Sequence, residues 1–310
     1  MAGFEKVVLV TRRTRLEELI ERFNTRGQAR FFIERSGGDF AEYEAEHDAY
    51  QRALDRVRRD LELGMPRQTI DRQLVPTYTF TGRDLVVTLG QDGLVANVAK
   101  YAGDQPLIGI NPDPARFDGI LLPFLAEDAR QAAVNVIEGE ATTRAVTLAA
   151  IRLDDGQQLL AFNDLFIGTR THTSARYRLR TSEGAEVQSS SGILVSTGAG
   201  STGWMSSVFN MAAGITAFAG GRGVQPAPMT WEDRRLLFAV REPFISRHSQ
   251  ASIVAGLIDQ DEEIAIESLM PSGGVIFSDG VEVDFLDFNA GAIGHVKRAS
   301  HCARLVVKGI

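Results

Sequence analysis

The chain has 310 residues, 44% of them hydrophobic and 24% charged, which is ordinary for a soluble globular protein and long enough for two domains. Its 33 Lys+Arg against 40 Asp+Glu leave a formal charge of −7, which excludes a broad nucleic-acid-binding surface but leaves room for a local phosphate pocket. A single cysteine, Cys302, rules out an internal disulfide and reads as a buried, inert thiol. No apolar run reaches membrane-spanning length, and the apolar run from Val7 begins too early for a signal peptide to precede it, so a cytoplasmic protein is expected.

Val7 to Val10 is a short apolar run of the kind buried in a parallel sheet. Thr14-x-x-Glu17 then makes a capping box that opens a helix through Phe23. Residues 24 to 38 read as loop, and Asp39 caps a longer helix whose apolar stripe is Phe40, Tyr43, His47, Tyr50, Leu54, Val57 and Leu61, ended by Gly64 and Pro66. His47 lies on that stripe without a second histidine at ligand spacing and reads as a packed core residue. Arg56, Arg58 and Arg59 read as the solvated face.

Leu85 to Leu89 is the next strand and Leu107 to Ile110 the one after, with a crossover helix over Leu94 to Lys100. Between strand and helix stands Gly90-Gln91-Asp92-Gly93, an acid at a strand-to-helix turn. In an open α/β sheet ligands bind at the strands' carboxyl ends, and a helix N-terminus there offers N–H groups to an anion. Asp92 in that place suits a base facing a hydroxyl beside a bound phosphate. Asn111, in the proline-locked turn 109–114, is expected near Asp92 if the two strands are neighbours. A last helix from about Asp128 to Glu138 ends at Gly139.

After Gly139 the pattern becomes almost wholly β. Arg144 to Leu153 and Gln157 to Ile167 read as strands joined at Asp155-Gly156, a type I′ hairpin signal. Further strands are expected at 176–181, 185–189, 193–197, 235–241, 252–258, 263–269, 275–277, 281–285 and 303–307, and one helix over Thr202 to Ala213. The fold class is therefore an α/β N-terminal domain with a Rossmann-like open sheet, over residues 1–138, and a β-rich, sandwich-like domain over 139–292.

Two constellations in the second half carry chemistry. Asn163-Asp164, expected at the outgoing end of a hairpin strand, pairs an amide with a carboxylate and suits vicinal hydroxyls such as those of a ribose, or else makes a plain Asx-turn. Ser196-Thr197-Gly198-Ala199-Gly200-Ser201-Thr202-Gly203-Trp204 contains G-x-G-x-x-G, but no acid follows before Glu232 and the flanks are β, so it is not a Rossmann fingerprint. It reads as a hydroxyl-rich backbone cradle for an adenine or a phosphate. There is no Walker motif and no H-E-x-x-H, and the five histidines are widely spaced, so no protein metal-ligand set and no Ser-His-Asp triad are expected.

These clusters, in this order, resemble the NAD kinase family, whose signatures are a Gly-Gly-Asp-Gly loop, an Asn-Glu pair and a Thr-x-x-Gly-Ser-Thr loop. The turn 109–114, Phe162 to Gly168, Ser190-Ser191-Gly192, Ser196 to Ser201 and Trp204 look most like the mitochondrial-type branch and its bacterial relatives. The resemblance implies transfer of a phosphoryl group from ATP, with Mg²⁺, to the 2′-hydroxyl of the adenosine ribose of NAD. Asp92 would be the general base, and Asn163, Asp164, Thr197, Gly198, Ala199, Ser201, Trp204 and Asn111 would bind the substrate. ATP would lie against Gly90, Gln91, Gly93 and Leu94. The resemblance also implies a homo-oligomer, dimer or tetramer, and a tail from about 293 to 310 that returns to the first domain. Gln91 replaces the family's second glycine, and Leu94 a threonine or similar small residue. If the turn needs positive φ or close approach at 91, a Gln would distort it. Alternatives are a weakened NAD(P)-binding homologue acting as sensor or regulatory subunit, and a kinase for another alcohol.

Overall fold

The computed structural model describes residues 3–225 and 228–309. Met1 and Ala2, which open the expected N-terminal domain, and Ile310, which ends the tail, lie outside the described residues. The chain forms two compact units, one reaching to Arg144 and rejoined by the tail from Arg304, the other Ala145–Ala303.

In chain order the first unit comprises β1 (Lys6–Thr11), α1 (Arg15–Phe23), α2 (Arg26–Arg35), α3 (Phe40–Asp60), β2 (Arg67–Asp71), β3 (Asp84–Leu89), α4 (Asp92–Ala99), β4 (Pro106–Asn111), β5 (Phe124–Leu125) and α5 (Ala129–Glu138). Its strands are all parallel, in the order β2-β1-β3-β4 with β5 beside β4. Val7 to Val10, Leu85 to Val87 and Ile108 are fully buried, which is why these segments are apolar on both faces rather than alternating. Leu54, Val57 and Leu61 of the α3 stripe and Ala132, Ala133 and Val136 of α5 join Leu9, Leu85, Val87, Ile108 and Ile110 in one core. The tail returns here, Arg304 and Leu305 pairing parallel with Pro106 and Leu107.

The capping box forms at Thr14 and Glu17. The loop expected over residues 24 to 38 is instead largely helix. Asn24 ends α1 in the left-handed region at φ 63°, and Thr25 accepts the Gln28 N–H to start α2 at once. Only Ala29 and Ile33 of α2 are buried, and Ile33 packs with Leu16 and Phe40. So narrow a stripe in a charged segment carries almost no periodic signal; packing on its neighbours supports the helix.

The second unit holds β6 (Thr143–Leu153), β7 (Gln158–Ala161), β8 (Asp164–Thr169), β9 (Ala175–Thr181), β10 (Gly184–Ser190), β11 (Ile193–Ser196), α6 (Trp204–Phe218), β12 (Leu236–Val240), β13 (Ala255–Ile258), β14 (Ile264–Ser268), β15 (Gly274–Ser278), β16 (Val281–Asp287) and β17 (Ile293–Val306). One sheet runs β10-β9-β14-β17, with β6 bridging β17 and β7; the other runs β13-β12-β11-β8-β15-β16. Tyr177, Leu179, Ile266 and Val296 of the first meet Leu165, Ile167, Val195, Phe238 and Ile276 of the second in a shared core, a sandwich.

Four expectations about this unit are corrected. The segment Gln157 to Ile167 is two strands, because the chain leaves one sheet at Phe162 and Asn163 and enters the other at Asp164. Asn163 is therefore a corner between sheets rather than a strand end. The Asp155-Gly156 hairpin is not type I′, since only Gly156 (φ 92°) has positive φ; bonds from Gly156 N to Leu153 O and from Leu153 N to Gln157 O close a three-residue loop. The type I′ turn occurs at Asp279-Gly280, where φ is 53° and 69° and Ser278 pairs with Val281. Cys302 is half-buried, not buried, and the terminal strand begins ten residues before the expected 303.

Candidate active site

In the first unit the site residues gather where β3 and β4 end. Asp92 is the first residue of α4, and its carboxylate accepts the Leu121 N–H at 2.6 Å. Gln91 is the N-cap but makes no side-chain capping bond; its carbonyl takes the Leu94 N–H at 2.8 Å, which leaves the Asp92 and Gly93 N–H groups for another acceptor. Its backbone is extended, φ −112° and ψ 167°, so the turn does not need glycine there. Gly90 leaves room for Leu94, since a Cβ there would come within 2.8 Å of Leu94 Cδ2 and make that side chain shift. Leu94 thus folds inward over Gly90 and is 2% exposed, whereas a Cβ on Gly93 would meet open space.

Asn111 is 3% exposed and spends its amide on its own turn, donating to Phe117 O at 2.9 Å and accepting the Asp113 N–H at 3.0 Å. It shapes the segment that carries Leu121 to Asp92. Behind the turn, the Tyr50 hydroxyl accepts from Arg12 N and donates to Leu89 O, tying the ends of β1 and β3 together. Burial pushes this phenol up to about 12. Arg12 is in turn paired with Glu46, which Arg15 also contacts. Burial raises the Glu46 carboxyl, but hydrogen bonds from Arg15 and Arg12 outweigh it and hold the group below its ordinary range. Glu46 gave no sequence signal, since one acid in a charged helix looks solvated. His47, half-buried, lies 3.0 Å from Thr14 Oγ1 through Nδ1.

In the second unit two motifs distant in sequence are fused. Thr197 donates its hydroxyl to Phe162 O (2.6 Å) and its N–H to Asn163 O (2.9 Å), and is fully buried, so it braces the loop. A Cβ on Gly200 would sit 2.1 Å from Asn163 O, and one on Gly198 1.7 Å from Thr230 O. These glycines are demanded by close backbone approach, not by φ. Ser201 bonds Gly198 O at 2.7 Å, and Ala199 is half-buried on the rim.

Sequence reading missed Asp279. Its carboxylate accepts the N–H groups of Phe162 (3.0 Å), Asn163 (2.6 Å) and Asp164 (3.2 Å), and its own N–H returns to Asp164 O at 3.0 Å. The Asp-Gly dipeptide between two apolar runs was the available signal. Asp164 is 7% exposed; burial first, and the charge of Asp279 second, push its carboxyl up to about 7.

Further along β8 lies a cavity of about 850 Å³, whose lining includes Phe166, Trp204, Arg241, Arg170, His172 and Phe277 but none of Asn163, Asp164, Asp279 or Thr197 to Ser201. Trp204 stacks on Phe166 at 5.7 Å between centroids and 13° between planes, and the Arg241 guanidinium lies 5.1 Å from the Trp204 ring. Gly168 and Gly192 make room for Phe166, a Cβ on Gly168 falling 2.6 Å from its ring. Arg241, indistinguishable from a surface arginine in the sequence, is thus held on an aromatic face, while Arg247 is exposed. Among the described residues no three His, Cys, Asp or Glu side chains gather as a metal site, and no helix is long and apolar enough to cross a membrane.

No family model matches the chain. An NAD kinase of Halorubrum lacusprofundi is 34% identical over 125 residues, covering 38% of this chain and 45% of that protein. A probable NADH kinase of Oryza sativa subsp. japonica is 26% identical over 225 residues, 64% of each chain. The chain therefore spans about half to under two thirds of the length of these curated relatives. Among solved structures, yeast NADH kinase complexed with NADH matches 99% of this chain and 84% of its own, with TM-score 0.56 and 16% identity. An NAD kinase from Archaeoglobus fulgidus in complex with ATP matches 97% and 93%, with TM-score 0.52 and 15% identity. The α/β unit followed by a β-sandwich unit is the fold of the NAD kinases.

Proposed function

We propose that the chain is an NAD kinase-type phosphotransferase that moves a phosphoryl group from ATP to the 2′-hydroxyl of the adenosine ribose of NAD or NADH. The observation that carries the reading is the fused corner of the second unit, where Asn163-Asp164 and the Thr197–Ser201 loop share backbone bonds beside an aromatic cleft. An amide and a carboxyl at the start of β8, with flat rings further along the same strand, match a nucleoside's hydroxyls and bases. Asn163 and Asp164 bind ribose hydroxyls, and Trp204, with Phe166 and Arg241, takes a ring.

Asp92 is the general base. Phosphoryl transfer to an alcohol needs a positioned hydroxyl, one proton acceptor, and donors for the phosphate charge. The uncapped α4 N-terminus and the open space at Gly93 suit the donor phosphates. Among the described residues no three-ligand cluster forms, so Mg²⁺ would arrive on the ATP phosphates and neutralise their charge, with Asp92 the carboxylate that the turn supplies. Gln91 in an unstrained extended conformation takes away the backbone-strain motive for reading the chain as an inactive sensor, and whether its side chain crowds the phosphate donor is decided by the assay. A homo-oligomer and a cytoplasmic location complete the reading.

The test is to mix the purified protein with NAD or NADH, ATP and Mg²⁺ and couple the product to a dehydrogenase specific for NADP. Product that disappears with Asp92→Asn supports the reading. Saturable dinucleotide binding with no product would replace it with a sensor, and thermal shifts with sugars but not dinucleotides with another kinase.

A further inference from the structure

We infer that Asp279 is a positioning residue of this site, holding the Asn163–Asp164 pair in the geometry that a nucleotide's hydroxyls require. The inference rests on the dinucleotide reading of the corner. Asp279 takes three consecutive backbone N–H groups, those of Phe162, Asn163 and Asp164, and gives its own N–H back to Asp164 O. A residue-long shift of the corner would break all four bonds, so the clamp fixes where the two side chains start. It is also installed against backbone preference, since Asp279 is one of three non-glycine residues with positive φ among the described residues.

The clamp is electrostatic as well as geometric. Asp164 is buried, and the elements beside it contribute no other ionisable side chain: β11 reads ILVS, β15 reads GVIFS, and Thr197 to Thr202 are neutral. Burial does most to raise the Asp164 carboxyl to about 7, and Asp279, in the turn that follows β15, is the charged group that adds to it. A neutral carboxyl donates one hydrogen bond, whereas an ionised one accepts from both ribose hydroxyls. Binding of the nucleotide should then tighten as pH rises through about 7.

Asp279→Asn removes the charge while Asn tolerates the left-handed turn and its one oxygen keeps the bonds from Asn163 and Asp164, at the loss of the bond from Phe162. Asp279→Gly keeps only the turn. NAD affinity is measured by calorimetry from pH 5.5 to 8.5, in a His172→Gln background that removes the histidine lining the cleft. The expected result for Asp279→Asn is affinity about tenfold weaker above pH 8, a loss of about 1.4 kcal/mol, and a midpoint of the pH profile shifted about one unit to acid. In the coupled assay KM rises while kcat stays within about threefold. Should neither variant fold, the parent protein still decides: a flat profile across this range overturns the inference. So does an unchanged affinity and midpoint in Asp279→Asn, or weaker binding with the midpoint in place, which marks a merely structural turn. A parent protein that binds neither NAD nor NADH removes the reading of the site, and the inference with it.

Discussion

The Gly90–Leu94 turn and the Asn163–Asp164 corner carry the two halves of the proposed chemistry, and they are built by opposite means. The turn is relaxed: Gln91 is extended, Asp92 opens a regular helix, and a Cβ at Gly93 meets nothing within 4 Å. The corner is crowded, with a carboxyl buried beside a second carboxylate, a non-glycine residue at positive φ, and two glycines against backbone carbonyls. A base and a phosphate cradle need only the end of a strand and the start of a helix. Presenting an amide and an acid from a strand that changes sheets takes bracing from several other segments, and that bracing costs stability.

The largest expected effect tests the division of labour. Asp92→Asn should lower NADP formation by about 10²–10⁴-fold while NAD affinity, read by calorimetry, changes by less than about threefold. Equal losses in both would place Asp92 in substrate binding and erase the contrast. Next come the glycines. Gly200→Ala drives a Cβ to 2.1 Å from Asn163 O and should destabilise by about 3 kcal/mol or more in denaturant unfolding. Gly93→Ala, at a helical position in open space, should stabilise by up to about 1 kcal/mol. Matching shifts for the two variants would mean the turn is as strained as the corner.

A third prediction concerns pH. The Asp164 carboxyl is raised from 3.8 to about 7, so the folded chain keeps a proton that the unfolded chain releases. Its stability contribution is complete below about pH 4 and is lost as pH rises to about 7. Asp164→Asn, neutral throughout, should match the parent near pH 4 and exceed it by about 1–3 kcal/mol at pH 8 in urea melts. Equal stability at both pH values would mean the corner carries no buried charge. The smallest effect is Gln91→Gly, which relieves nothing and should cost about 0.5–1 kcal/mol of stability through unfolded-chain entropy. A gain on thermal melting would show that the turn stores strain after all.

Much of this was legible in the residues. The capping box at Thr14, the apolar runs at Val7, Leu85 and Leu107, and the order of the β-rich half are local signals, and local hydrogen bonding or two-sided burial reproduces them in the fold. The helix α2 was not legible because its buried stripe is two residues wide. The corner at Asn163 was not legible either: an apolar run that changes sheets midway reads like one long strand. Arg241 and Glu46 become distinctive only through partners far away in the chain, an aromatic face and two arginines.

By itself, then, the sequence determined the order of the strongly patterned elements, the change from α/β to β, and the residue types able to bind a hydroxyl, a phosphate and a base. Periodicity, capping and glycine placement act over a few residues, so they survive being read without coordinates. Only the tertiary structure decided which of those residues still have a polar group to offer. Thr197 and Asn111 have spent theirs on neighbouring backbone, and Leu94 has turned inward. Asp164 has been pushed toward neutrality by burial first and then by Asp279, a residue 115 positions away, because burial and charge depend on distance through space and not along the chain.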